Sequence, residues 1–174
     1  MIFTGFKRKS NQFFLKRRLS DLLKKTSAIS SKEIKHVIIF LDDISEKDKI
    51  KSELLSLLNI AENNLKIVIF KQKIKDDQNL EEITTPKDFG WYGKIDSEKL
   101  KTILTKKYDL LINYSKVDNV YSNLLLLQCK AGFRVGFKHL DNRFYDLIIG
   151  CKWNDLELFN KELKKYLTIL NKIQ

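Results

Sequence analysis

The stretch HVIIFLDDISEKDKIKSELLSLLNIAENNLKIVIFK, residues 36–71, decides the fold because two apolar segments flank an amphipathic one. The segments HVIIFLDD (36–43) and LKIVIFK (65–71) predict strands, since continuous runs of Val, Ile and Leu are typical of strands buried on both faces. The segment between them, residues 45–60, has the apolar spacing of a helix. Its predicted buried face consists of Ile50, Leu54, Leu57 and Leu58. Strand, helix and strand in this order predict a parallel sheet.

The same alternation continues to the end of the chain. Further predicted strands are YDLLINYS (108–115), FRVGF (133–137) and YDLIIG (145–150). Further predicted helices are residues 96–104, 118–131 and 154–173. Strands that alternate with helices are typical of α/β proteins. We therefore predict a single three-layer Rossmann-like α/β domain at residues 31–174, with a mainly parallel sheet of about five strands, preceded by a basic N-terminal arm and amphipathic helix at residues 1–30.

The composition is that of one globular domain. The chain has 174 residues, of which 43% are hydrophobic, with six Gly and one Pro. This length allows one core of ordinary size. Cys129 and Cys151 are too few and too far apart for a disulfide framework or a paired-cysteine metal site. We therefore expect reduced core thiols and a cytoplasmic protein.

The sequence carries no signal for membrane insertion or secretion. No apolar run approaches the roughly 18 residues that a membrane-spanning helix needs, so we expect no membrane span. A secretory signal needs an uninterrupted apolar stretch of about 7–15 residues. Here FFL (13–15) is followed at once by KRR (16–18), which makes secretion an unfavourable explanation of the basic start.

Positive charge is concentrated at the N-terminus. The net charge is +11, and residues 1–25 hold eight Lys and Arg residues against Asp21. The remaining 149 residues hold 25 Lys and Arg against 21 Asp and Glu, which is close to balanced. Such asymmetry indicates a polyanionic partner, either nucleic acid or an anionic membrane surface.

Residues 10–25 have the pattern of an amphipathic helix whose leucines, Leu15, Leu19, Leu22 and Leu23, fall within a sector about 100° wide. The segment FKRK (6–9) precedes this predicted helix and is expected to extend freely along a nucleic-acid backbone. Four explanations are compatible with the region: a transit peptide, a membrane-surface helix, a solvated first helix and a nucleic-acid arm. We favour the last, because Arg forms bidentate contacts with phosphate and Phe stacks on exposed bases.

The predicted RNA-binding residues are cations of this arm and of the region around the last strands. The sequence contains no RNA-recognition, KH or zinc-knuckle motif, so binding is expected to address the backbone and shape of a structured RNA. The predicted contacts are Lys7, Arg8, Lys9, Lys16, Arg17, Arg18, Lys24, Lys25, Arg134, Lys138 and Arg143.

Residues 72–95 form a long predicted connection. They contain the single Pro together with Trp91 and Tyr92. Connections of this length are often functional. Two explanations stay open: the aromatic residues cover the edge of the sheet, or they form a stacking surface for a base or a sugar.

The ends of the predicted strands offer few catalytic groups. The first strand ends in LDDISEK without a GxGxxG or GxxxxGKS loop, so no nucleotide cofactor is expected. Asp42 and Asp43 could bind Mg²⁺ only if a turn brought them together. The loop HLDNR (139–143) is the remaining catalytic candidate, although a polar turn between strands explains it more simply. We expect no cofactor, no metal and no small-molecule substrate; the alternative is a stand-alone α/β enzyme that acts on a sugar or nucleotide through these groups.

Part of the chain resembles the acceptor-side half of heptosyltransferase-type glycosyltransferases. The resemblance rests on KKYDLLINYS and NLLLLQCKAGFRVGF, within residues 106–137, which follow the order strand, helix, strand. Those enzymes have two Rossmann-like domains, whereas this chain has room for one. The resemblance therefore supports the fold and argues against the activity.

A second resemblance covers nearly the whole chain. Its motifs are FKRKSN, NNLKIVIF, PKDFGWYGKI, YDLLINYS, AGFRVGF, DNRFYDLII and KYLTILNKI. In these the chain resembles a family of small Bacteroidetes proteins that is suspected to include a lineage-specific protein of the large ribosomal subunit. The resemblance implies a non-catalytic, rRNA-bound role, with rRNA and neighbouring ribosomal proteins as partners. It implies no individual contact residues.

Overall fold

The computed structural model describes residues 2–26, 33–73 and 83–173. Within them, six strands form one sheet in which every strand is parallel to its neighbours. The strands are β1 (Val37–Leu41), β2 (Leu65–Phe70), β3 (Ile83–Thr84), β4 (Lys107–Asn113), β5 (Lys130–Phe137) and β6 (Leu147–Ile149). The α-helices are α1 (Ile2–Thr26), α2 (Lys47–Leu58), α3 (Glu98–Thr105), α4 (Val120–Gln128) and α5 (Leu156–Ile169).

The strand order is β3-β2-β1-β4-β5-β6, which is the order of a Rossmann fold. The predicted α/β class with a parallel sheet is confirmed. The direction of the strand order reverses between β1 and β4, which are neighbours in the sheet. In folds of this kind, ligands bind beyond the carboxyl ends of the strands at such a reversal.

The sheet has one strand more than predicted. β3 lies within residues 72–95, a segment that the sequence predicts as a connection. Its two residues pair with the end of β2 at Ile69 and Phe70. Two residues are too few to show the apolar run or the alternation by which a strand is recognised in a sequence.

Helices cover both faces of the sheet. α2 and α5 pack on one face, and α1, α3 and α4 contribute to the core on the other face. Every side chain of α4 from Val120 to Leu127 is buried. A helix that is buried on all sides needs neighbours on all sides, and α1 contacts α4 in addition to the sheet. α1 is therefore a packed part of the domain.

α1 begins earlier than the sequence predicts. It starts at Ile2, so the prediction that FKRK (6–9) precedes the helix as a free extension is wrong. No Pro interrupts residues 2–10, and Ser10 uses its hydroxyl in a tertiary hydrogen bond rather than as a helix cap. The basic segment is therefore held in a helix.

Two leucines of the amphipathic pattern of α1, Leu15 and Leu19, contact the core together with Phe14. The side chains of Leu22 and Leu23 lie outside the described part of the structure. Although α1 has 25 residues, neither it nor another described helix is apolar enough to cross a bilayer.

Candidate nucleic-acid interface

Asn11 anchors the basic helix α1 to the rest of the domain. Its side chain is fully buried. The Asn11 Nδ2 atom donates a hydrogen bond of 3.1 Å to the Gly90 carbonyl, and its Oδ1 atom accepts one of 2.7 Å from the Gly93 amide. Gln128 of α4 donates a further hydrogen bond of 2.9 Å to the Gly93 carbonyl. Because a buried polar group is costly without hydrogen bonds, these contacts fix α1 against the turn at residues 90–93.

The 90–93 turn has an uncommon backbone conformation. Tyr92 has a φ of 53° and Gly93 a φ of 76°, in the left-handed region that side-chain-bearing residues rarely adopt. The Phe14 ring lies so close to Gly93 that a Cβ atom there would be 2.4 Å from Cε1 of the ring. The Tyr92 amide also donates a hydrogen bond of 3.0 Å to Ser10 Oγ. α1 therefore contributes to both the position and the shape of this turn.

The side of α1 that faces away from the domain is cationic. Asp21 is the one acidic residue of this helix, and its carboxylate lies 3.7 Å from the Arg18 guanidinium. Lys7 is half-buried. The side chains of Lys24 and Lys25 lie outside the described residues. The exposed predicted contacts on α1 are Arg8, Lys9, Lys16, Arg17 and Arg18.

Exposed aromatic rings lie beside these cations. Ser10, which accepts the hydrogen bond from Tyr92, is four residues after Phe6 and three before Phe13. Residues at these spacings are neighbours on a helix surface, so both phenylalanines flank the turn. The Arg17 guanidinium lies 5.9 Å from the centre of the Phe13 ring, within the range of a cation–π contact. The exposed fractions are 57% for Phe6, 57% for Phe13, 46% for Trp91 and 62% for Tyr92.

The predicted contacts outside α1 are placed differently. Arg134 is only 5% exposed, and its guanidinium donates a hydrogen bond of 3.1 Å to the Cys129 carbonyl. Burial lowers the pKa of this guanidinium. Arg134 is a core residue of β5, and we leave it out of the candidate interface. Lys138 and Arg143 are exposed, in the segment between β5 and β6.

Lys116 contacts both carboxylates that follow β1. The Asp42 Oδ2 atom accepts hydrogen bonds of 2.6 and 3.2 Å from the Lys116 and Val117 amides, and burial raises the pKa of this carboxyl. Lys116 Nζ lies 2.7 Å from Asp43 Oδ2, and this bond lowers the pKa of the Asp43 carboxyl. The adjoining cavity has a volume of about 100 Å³, whereas small-molecule pockets measure about 300–1,000 Å³. In the described part of the chain, no three His, Cys, Asp or Glu side chains are grouped to hold a metal ion.

The polar residues of the 139–143 loop are bonded to other groups of the domain. His139 Nε2 donates a hydrogen bond of 3.0 Å to the Ser115 carbonyl, and its ring stacks on Phe137. The Asp141 carboxylate accepts hydrogen bonds from the Arg143 amide and guanidinium, which lower the pKa of the carboxyl. The contacts between Asp141 and Arg143 stabilise a polar turn.

Sequence reasoning missed the residues that attach α1. Asn11, Ser10 and Phe14 make the contacts with the 90–93 turn, and none of them follows from the leucine stripe. A signal for Phe14 was its position beside Leu15 on the helix. Asn11 has no comparable signal, because the sequence pattern predicts that a polar residue on a basic helix is exposed.

The chain belongs to a family of unknown function, DUF6913, whose model matches residues 7–170. The matched region contains most of α1 together with all six strands. The basic helix and the sheet are therefore parts of one family unit. No match was found among curated proteins or among solved structures.

Proposed function

We propose that this DUF6913 protein is a non-catalytic rRNA-binding protein, a peripheral component of the large subunit of the bacterial ribosome in the cytoplasm. The proposal rests on the arrangement of α1. One side of this helix is hydrogen-bonded to the domain through Asn11, and the other side has exposed cations. The resemblance to Bacteroidetes proteins suspected to include a ribosomal protein supports rRNA as the polyanion. The proposed partners are rRNA and neighbouring ribosomal proteins.

Cations on a rigid helix suit the phosphate backbone of RNA. Each phosphate that is neutralised releases counterions, and this release supplies affinity without base-specific contacts. Lys9 and Lys16 are seven residues apart, which places them about 10 Å apart along the helix axis. They can therefore contact separate phosphates. Because Asn11 holds α1 in place before binding, little conformational freedom is lost in the complex.

The region beyond the strand ends favours RNA binding over the alternative of an enzyme. An enzyme that acts on a sugar or nucleotide needs a cavity of matching size with available catalytic groups. The cavity beside Asp42 has about 100 Å³, and Lys116 bonds to both Asp42 and Asp43. The charged groups in the 139–143 loop bond to each other.

Sedimentation of a cell lysate in a sucrose gradient tests the proposal. At low salt, we expect the protein to sediment with the large ribosomal subunit. An interface that neutralises about 6–10 phosphates weakens about 10³–10⁵-fold in affinity between about 50 and 200 mM salt, so a salt wash should release the protein. The proposal fails if the protein stays at the top of a low-salt gradient in which the large subunits are intact.

A further inference from the structure

Among the side chains that the structure describes, four exposed aromatic ones lie on α1 and the 90–93 turn, near the contact between them. We name them the aromatic platform: Phe6, Phe13, Trp91 and Tyr92. Exposed apolar groups are unfavourable in water, and grouped ones mark binding surfaces. We propose that the aromatic platform stacks on unpaired RNA bases, so that the bound RNA is single-stranded at this point. This inference rests on the proposed function and adds the class of RNA segment that is bound.

The turn presents its rings on a fixed backbone. A bulky residue with a positive φ is an outlier, and such a conformation persists only where surrounding contacts impose it. For Tyr92, these contacts come from α1: Ser10 binds the Tyr92 amide and Asn11 binds the amide of the next residue. The Tyr92 ring nevertheless stays 62% exposed and adds little to the core. A strained backbone that holds a ring in solvent is suited to stacking on a partner.

Both phenylalanines that the structure describes as exposed on α1 have a lysine beside them. Phe6 is followed after three residues by Lys9, and Phe13 after three residues by Lys16. Residues at this spacing are neighbours on a helix, and the pattern repeats after two turns. Single-stranded nucleic acids are bound by this combination, in which a ring stacks on a base and a cation contacts the phosphate.

The same surface is poorly suited to a membrane. An interfacial helix inserts its apolar face into the lipid. The apolar face of α1, formed by Phe14, Leu15 and Leu19, is packed on the domain instead. The rings that remain outside alternate with lysines. Duplex RNA is also a poor fit, because its bases are stacked and proteins contact mainly its backbone and 2′-hydroxyls.

The two tryptophans of the chain allow a direct test. In Trp153→Phe, Trp91 is the remaining tryptophan. In Trp91→Phe, Trp153 reports from the connection between β6 and α5, where Lys116 Nζ lies 4.5 Å from the centre of its ring. We expect single-stranded oligoadenylate to quench the fluorescence of Trp91 and to leave that of Trp153 unchanged. An RNA duplex of equal length should bind without quenching Trp91.

Substitutions separate stacking from charge. Trp91→Ala and Tyr92→Asn remove rings, and Asn tolerates the left-handed backbone at residue 92. We expect the pair to lower the affinity for oligoadenylate by about tenfold or more. The affinity for the duplex and the salt dependence of binding should not change, because no cation is removed. Thermal unfolding of the variant verifies that the fold is retained.

The outcomes distinguish a failure of the stacking inference from a failure of the proposed RNA-binding function. Equal affinities for oligoadenylate and duplex, with unquenched Trp91, overturn the stacking inference and leave RNA binding intact. If the protein binds neither oligoadenylate nor the duplex nor rRNA, the proposed function itself is overturned. A blue shift of the Trp91 emission on addition of phosphatidylserine vesicles, without binding to RNA, assigns the surface to membranes and overturns both.

Discussion

Asn11 accepts a hydrogen bond of 2.7 Å from the backbone amide of Gly93, although 82 positions separate the two residues in the chain. The same side chain donates a hydrogen bond to the Gly90 carbonyl, so its amide group acts as both a donor and an acceptor. A buried polar residue of this kind specifies one register of packing, because any other register leaves it unpaired. Asn11, a neutral residue, therefore helps to set the orientation of the cations of α1.

The first prediction concerns this anchor. We expect Asn11→Ala to lower the free energy of unfolding by about 2–4 kcal/mol, because the Gly90 carbonyl and the Gly93 amide are both left without this partner in the interior. Gln12→Ala on the exposed side of the same helix is the matched control and should change stability little. Urea denaturation measures both. Equal stabilities of the two variants would show that Asn11 does not anchor α1.

The second prediction concerns Gly93. A Cβ atom at this position would lie 2.4 Å from the Phe14 ring, on a backbone with a φ of 76°. We expect Gly93→Ala to cost about 2–4 kcal/mol from steric overlap and backbone strain. Gly150→Ala is the control, because a Cβ there meets no atom within 4 Å. In a double-mutant cycle, Phe14→Ala should recover part of the stability that Gly93→Ala removes, and strict additivity would contradict a direct interaction between the two residues.

The sheet was predictable because strands that are buried on both faces of an α/β sheet are continuous apolar runs in the sequence. β1 and β4 lie in the middle of the sheet and are apolar runs, which identify strands without knowledge of their neighbours. β3 is a two-residue edge strand that pairs with the end of β2. A pattern so short carries no information of its own, so the sequence predicts a connection there.

The interface was less predictable, because it depends on pairs of residues that are distant in the chain. The sequence predicts that Arg134 is a surface cation. In the structure, β5 lies inside the sheet and the Arg134 side chain is buried against the Cys129 carbonyl. The sequence predicts that Asn11 is a surface residue, but the 90–93 turn covers it. The charge of α1 could be read from composition, whereas its attachment could not.

The third prediction concerns acid stability. The hydrogen bond from Lys116 lowers the pKa of the Asp43 carboxyl from its ordinary value of 3.8. A lowered folded-state pKa contributes stability that is complete above the unfolded value and is lost as the pH falls towards the folded value. We expect Asp43→Asn to be less stable than the wild type at pH 7, with a difference that shrinks below about pH 4. A difference that stays constant down to about pH 2 would contradict this coupling.

The fourth prediction concerns the two thiols. Burial raises the pKa of Cys129 to about 12, whereas Cys151 is partly exposed. Because the thiolate is the reactive form, we expect a thiol reagent at about pH 8 to label Cys151 in the native protein and Cys129 only after denaturation. Cys151→Ser should then have no thiol that reacts without unfolding. Rapid labelling of native Cys151→Ser would show that the core around Cys129 opens easily.

The fifth prediction tests whether the charge of α1 acts by position or only through the net charge of the protein. Lys9→Glu with Lys16→Glu reverses two exposed cations of α1, and Lys161→Glu with Lys164→Glu reverses two exposed cations of α5. Both pairs change the net charge equally. If RNA lies against α1, the first pair should weaken rRNA binding and lower the salt slope of log affinity by about 1 for each phosphate that the helix no longer neutralises.

The α5 pair should retain nearly the wild-type affinity, because long-range effects of net charge are screened within about 8–10 Å at physiological salt. Unchanged melting temperatures show that neither pair disturbs the fold. Equally weakened binding in the two pairs would mean that binding follows net charge alone. In that case the exposed face of α1 is not the site of contact, and the position of Asn11 serves only the packing of the helix.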